Sequence, residues 1–306
     1  MRKRILFCYT FTLVRIEFYQ KEKRTCFMKN WVLMFCVIFL TIALVPFAAA
    51  KAVKERNVAK LTVFENGCTE EIDVEEYALR VLLGGGEICE SVEAKKALAV
   101  SARTLGTYFS LYGCKHEDFS VCADGNCCIK LGDIENSDEN FLNECKTAVE
   151  ETRGEVLTFD GLPVLSLFTL CSGSGTAQND DFTYLTPTSN PNVCQKHKSV
   201  QSFEKSGVFE NVTESNSCVV YNENNKCEFL IINGKKLDSL DFISQTGIKS
   251  PEFVLYFEEG NIRAEVNGIG HGFGLDLCQA ENFAKSGKDY KEILGFYYPK
   301  LVLNKI

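Results

Sequence analysis

The sequence predicts an α+β fold: a single mixed ectodomain with a β-rich insertion, placed after one N-terminal transmembrane or signal segment. Three observations predict it. Trp31 to Ala50 is a run of 20 residues without a charge. Val92 to Tyr112 repeats apolar residues at helical spacing, and two further helix starts follow near the C-terminus. Between them, residues 200–266 break into short runs of strand-forming residues separated by turns.

The uncharged run is long enough to cross a bilayer. Lys21, Lys23, Arg24 and Lys29 precede it, and such a basic flank stays in the cytoplasm, which sends residues 51–306 outside. Ala48-Ala49-Ala50 resembles a small-residue cleavage site. A cleaved signal peptide and a retained anchor are therefore both open. Met28, followed by Lys29, Asn30 and the apolar run, reads as a natural start. Residues 1–27 are then an over-extended N-terminus, 28–50 the signal or anchor, and 57–304 the folded domain.

A chain of 306 residues with 45% apolar content is large enough for a substantial core and excludes general disorder. Outside the first 50 residues, 25 basic residues face 39 acidic ones, a net charge of −14. That surface disfavours nucleic acid and other polyanions as partners. Twelve of the 15 cysteines lie in the exported part, and an even number outside the cytoplasm points first to disulfides. Cys114, Cys122, Cys127 and Cys128 cluster within 15 positions, which calls for a second reading beside plain disulfides.

Taken in order, Val58 to Cys68 has strand character with a turn at Asn66-Gly67. In Val92 to Tyr112, Ala94, Ala97, Leu98, Ser101, Leu105, Tyr108, Phe109 and Tyr112 share a face; Ser91 can cap the helix and Gly113 can end it. Leu157 to Phe168 reads as a hairpin turned at Asp160-Gly161, with Pro163 near an edge. Short strands are expected at Cys218 to Tyr221, Phe229 to Ile232, Phe253 to Phe257 and Ile262 to Val266. Asp276 with Gln279 resembles a capping box for a helix stopped by Gly287, and Asp289 with Glu292 starts another that ends before Pro299.

His271 stands among four glycines just ahead of the Asp276 helix start. The partial positive charge of a helix N-terminus disfavours imidazolium, and glycines let a ligand approach the backbone. A plain loop histidine is the alternative.

The segments EAKKALAVSARTLGTYF (Glu93 to Phe109), CSGSGTAQ (Cys171 to Gln178) and GHGFGL with AENFAKSGKDYKEILGFYYP together resemble the SpoIID/LytB domain, the sporulation protein D family of bacterial cell-wall proteins. The resemblance runs in order from about Leu61 to Leu303. It implies a lytic transglycosylase that cuts peptidoglycan glycan strands already stripped of stem peptides, during engulfment in endospore formers. It implies as partners those strands, a cell-wall amidase and other sporulation membrane proteins. LytB-type relatives imply instead a non-catalytic peptidoglycan-binding or amidase-enhancing module.

The family's catalytic glutamate sits in a Gly-Glu pair before the long helix, which falls on Glu87 in GGGEICES; Glu90 and Glu93 are its rivals. A glycosidase hydrolysing with water uses two carboxyl groups. A lytic transglycosylase uses the sugar's own C6 hydroxyl as nucleophile, so one carboxyl group can serve as acid and then base. Such an acid works best when partial burial favours its protonated form.

For substrate binding the resemblance implies Arg103, Ser172, Gly173, His271 and Gly272. Arg103 lies off the helix's apolar stripe, so it could reach into a cleft or be solvated. The family's usual residues are absent at Ser174, Gly175, Leu277 and Gln279.

Some family members bind zinc through His, Cys, His and Cys after the helix, which implies His116, Cys122, Cys127 and Cys128 as ligands of a structural zinc ion. Three thiolates and an imidazole satisfy tetrahedral zinc. Ordinary disulfides with Cys114 or Cys145 are the alternative. A further class is a cysteine hydrolase with Cys171 as nucleophile and His271 as base.

Overall fold

In the computed structural model, residues 59–306 are described apart from 124, 126, 127, 180 and 192–194. The expected signal or anchor at 28–50 and the extension at 1–27 lie outside the described residues. Among the described residues no helix is long and apolar enough to cross a membrane.

Asn66 and Gly67 both take positive φ, 51° and 81°, the backbone a tight hairpin needs. They join β1 (Lys60–Glu65) to β2 (Cys68–Asp73). Asp73 accepts the amide of Glu76 and starts α1 (Val74–Gly85), an element that the sequence reading did not anticipate. One 3-10 turn, Gly86–Ile88, leads into α2 (Val92–Tyr112), which has the predicted bounds and stops at Gly113 with φ 73°. Ser91 occupies the capping position, but its hydroxyl donates to Glu281 rather than capping the helix.

The helix α2 is the axis of the main core. It packs on α1, on α3 (Glu139–Glu151), on β3 (Glu155–Phe159) and on the C-terminal helices. Its residues from Ala97 to Thr107 are therefore all buried, not one stripe of them. The predicted turn at Asp160-Gly161 has φ 50° and 80° and folds β3 back onto Leu162–Pro163.

The chain then leaves this core for the β-rich insertion. It contains β4 (Lys198–Glu204), β5 (Ser217–Tyr221), β6 (Cys227–Ile232), β7 (Lys235–Asp238), α4 (Ser239–Thr246), β8 (Phe253–Phe257) and β9 (Asn261–Asn267). These form two three-stranded antiparallel sheets, ordered β5-β6-β7 and β8-β9-β4. A separate apolar cluster that includes Phe209, Leu230, Phe242, Phe253 and Ile262 fills the space between them. The entrance and exit of the insertion are joined, because the amide of Gly268 donates to the carbonyl of His197 at 3.1 Å.

Back in the main core, Asp276 accepts the amide of Gln279 and starts α5 (Leu277–Lys285). Asp289 and Glu292 form the predicted reciprocal cap of α6 (Tyr290–Tyr297). The last strand, β10 (Val302–Lys305), pairs with β3. The whole is a mixed α+β domain with several small sheets.

Candidate functional site

Glu87 sits at the tip of the 3-10 turn that joins α1 to α2. The turn is fixed by a close crossing: a Cβ at Gly84 would lie 2.2 Å from the Lys130 carbonyl oxygen. Glu87 is exposed, and among the described residues it makes no hydrogen bond or ion pair. Its two rivals are committed. Glu90 pairs with Lys285 at 2.7 Å. Glu93 accepts from Lys96 at 2.8 Å and from the amide of Tyr290 at 2.9 Å, which holds the start of α6. Of the three carboxylates, Glu87 alone is left to act on a ligand. Its exposure departs from the partial burial expected of a general acid.

The turn packs against α5, and Glu281 on that helix accepts both the amide and the hydroxyl of Ser91, at 2.9 and 2.8 Å. The same helix begins where the glycine-rich loop ends, so Glu87 and the loop are both mounted on α5.

In that loop Gly268, Gly270, Gly272 and Gly274 all have positive φ. Three of these positions also exclude any side chain, because a Cβ would lie 2.5 Å from the Cys171 carbonyl oxygen at Gly268, 2.2 Å from Thr169 Oγ1 at Gly270 and 1.9 Å from the Leu167 carbonyl oxygen at Gly274. The stripped-down composition therefore lets the loop lie directly on residues 167–171. His271 is half-buried between these glycines, its Nδ1 accepts the amide of Phe273 at 3.1 Å, and its ring stacks on Phe273. Burial brings its pKa down to about 4, with a hydrogen bond to the Phe168 backbone acting the other way. The imidazole is neutral, as expected, but burial is the main cause.

The other residues implied as sugar contacts are placed differently. Arg103 is 0% exposed and bonds to Glu75, Val149 O and Glu155 O. It neither reaches into a cleft nor meets solvent, because α2 is surrounded on every side. Ser172 is buried, and both its amide and its hydroxyl donate to Asp276, at 2.8 and 2.5 Å. The Gly173 carbonyl accepts from Asn190, and the Gly272 carbonyl accepts the amide of Ala177. These three residues build the wall of the site and have little left to offer a ligand.

Behind that wall, Lys226 is buried against Glu252 and the Ser172 carbonyl. Burial alone would raise the Glu252 carboxyl, but Lys226 and Ser174 outweigh it and hold it below the usual carboxylate range. A cavity of about 590 Å³ lies alongside, lined by Lys198, Tyr221, Asn225, Glu252, Val254 and Asn267 among others. Sequence reasoning missed Lys226, Glu252 and Asn190, which lie in stretches with no motif.

Two groups of thiols and imidazoles could hold a metal ion. His116, Cys122 and Cys128 bring their ligand atoms within 4.8 Å of one another, with His116 Nε2 3.3 Å from Cys128 Sγ. Soft thiolates with an imidazole suit zinc. Cys127 lies outside the described residues. Cys145, weighed as a disulfide partner, is buried on α3 in the main core. The second group is Cys171, His197 and Cys278. The imidazole grouped with Cys171 is thus His197, and Cys171 is fully buried, which disfavours its attack on a polymer as a nucleophile.

Residues 65–159 match the family model described as SpoIID, stage II sporulation protein. Over that stretch the chain is similar to the SpoIID family. Stage II sporulation protein D of Bacillus amyloliquefaciens is 24% identical over 314 residues, covering 86% of this chain and 91% of that protein. The protein of the same name from Bacillus subtilis strain 168 is 24% identical over 256 residues, covering 76% and 75%. An uncharacterized protein of Brachyspira hyodysenteriae is 27% identical over 246 residues. The chain is thus distantly homologous to stage II sporulation protein D, and the stretch matched by the family model carries Glu87, Arg103 and the His116 group.

Proposed function

We propose that this chain is a SpoIID-family sporulation protein, a lytic transglycosylase that cleaves peptide-stripped peptidoglycan strands outside the cytoplasm, secreted or anchored by residues 28–50. The observation that carries the reading is Glu87, the one of the three candidate carboxylates that makes no hydrogen bond or ion pair among the described residues, at a turn that packs on α5. Glu87 protonates the glycosidic oxygen and then takes the proton of the C6 hydroxyl as that oxygen closes on the anomeric carbon. No second carboxylate is needed. Neutral His271 would orient sugar hydroxyls, Ser172, Gly173 and Gly272 would act by holding the wall, and Arg103 would act by tying α2 to α1 and to the start of β3. The His116 group would hold one structural zinc ion. A cell-wall amidase and other sporulation membrane proteins are the proposed partners.

The exposure of Glu87 favours one second reading, a module that binds glycan or enhances an amidase without cutting. Product chemistry separates the two. Incubation with intact and with peptide-stripped strands should release 1,6-anhydro-muramic ends from the stripped strands; binding without such ends would establish the module.

A further inference from the structure

We propose that Cys171, His197 and Cys278 form a second zinc site, distinct from the His116 group and independent of the glycan-cleaving reading. Their three ligand atoms all lie within 4.8 Å of one another. Zn–S bonds of about 2.3 Å in a tetrahedral site put two sulfurs about 3.8 Å apart. Closing the group onto an ion therefore needs only side-chain adjustment.

The residues come from three remote parts of the chain, and the backbone holds each in place. Cys171 exchanges two hydrogen bonds with Ile269, at 3.0 and 2.8 Å. The amide of Cys278 donates to Leu170 O at 3.1 Å, and the carbonyl of His197 accepts from Gly268 at 3.1 Å. The ligands are thus positioned by the same strand and loop that carry the glycine signature. Local sequence proximity, which accounts for the His116 group, plays no part here.

The chemistry of the set selects the ion. Two thiolates and one neutral imidazole make a soft donor set that suits zinc, and two thiolates cancel its charge, which a largely buried position requires. Cys171 is fully buried while His197 and Cys278 are half-buried, which gives an ion a path from solvent. A disulfide between Cys171 and Cys278 is the competing fate, but it would leave the placement of His197 unexplained. A bound zinc ion would tie the 171–176 turn, the start of α5 and the neck of the insertion together beside His271.

The test is zinc content of the full chain prepared under reducing conditions. A Cys122→Ser/Cys128→Ser variant should keep about one ion per chain, and adding Cys278→Ser or His197→Ala should remove it. Less than about a tenth of an equivalent in the folded double variant would overturn the proposal. Should that variant not fold, zinc-edge anomalous scattering from crystals of the unsubstituted chain decides. A peak between the three side chains supports the site; its absence, or a Cys171–Cys278 disulfide in freshly prepared protein, overturns it. Neither readout depends on glycan cleavage, so loss of the transglycosylase reading would leave the result intact.

Discussion

Arg103, fully buried, donates to one carboxylate oxygen of the largely buried Glu75 through both Nε and Nη2, at 2.9 and 2.7 Å. The other Glu75 oxygen accepts the amide of Gly154 at 3.0 Å, so the pair ties α2 to α1 and to the start of β3. Removing one partner leaves a buried charge uncompensated, at a cost of about 3–5 kcal/mol. Arg103→Ala should therefore lose about that much stability in urea denaturation, with turnover per folded molecule unchanged. A stable variant with lost turnover would restore Arg103 to the substrate.

His271 should leave a mark on the pH dependence of stability. Its pKa is about 4 in the folded protein, from burial, against 6.5 ordinarily. Below pH 6.5 the unfolded chain takes up a proton that the folded chain does not. Stability should therefore fall as pH drops from 6.5 through about 4, by at most about 3 kcal/mol. Glu252, held below the usual carboxylate range, loses its own contribution as pH falls further. The relevant quantity is the difference between the wild type and His271→Asn, which should lack the slope between pH 6.5 and 4. Parallel curves for the two proteins would show that His271 is not buried neutral.

Gly268, Gly270 and Gly274 should tolerate no side chain. At Gly274, φ is 69° and a Cβ would sit 1.9 Å from the Leu167 carbonyl oxygen. Strained backbone alone costs about 1–3 kcal/mol, and the collision adds to it. Thermal melting of Gly274→Ala should show a clear loss, whereas Gly287→Ala, where a Cβ would meet nothing within 4 Å, should lose only the backbone part.

Metal removal tests the His116 group. Cys122→Ser should release one zinc ion per chain, and a chelator should lower the melting temperature of the wild type, because part of the binding free energy is folding free energy. A chelator without effect on melting would exclude a structural ion there.

What was legible in the sequence was whatever local chemistry decides. The Asn66-Gly67 and Asp160-Gly161 turns, the bounds of α2 and the caps at Asp276 and Asp289 each follow from a few adjacent residues, and each was found. The helix α1 runs into Gly84 and Gly85, residues that disfavour a helix, which masks the helical spacing of Tyr77, Ala78, Val81 and Leu82. The burial of Arg103 was hidden for another reason. An arginine off the apolar stripe reads as exposed unless a neighbouring element covers that side, and Glu75 and α3 do so. Likewise Cys171, His197 and Cys278 have no common spacing; the bridge of Cys171 with Ile269 and the backbone bonds from Cys278 to Leu170 and from Gly268 to His197 bring them together.

The most direct test of the account is Glu87→Gln in the product assay on peptide-stripped strands. The substitution keeps the shape of an exposed side chain that makes no hydrogen bond or ion pair among the described residues, so folding should be unaffected, as circular dichroism and melting would show. Loss of a general acid and base should reduce the release of 1,6-anhydro-muramic ends by about 10²–10⁴-fold, with strand binding retained. A folded Glu87→Gln protein that releases those ends at close to the wild-type rate would contradict the account.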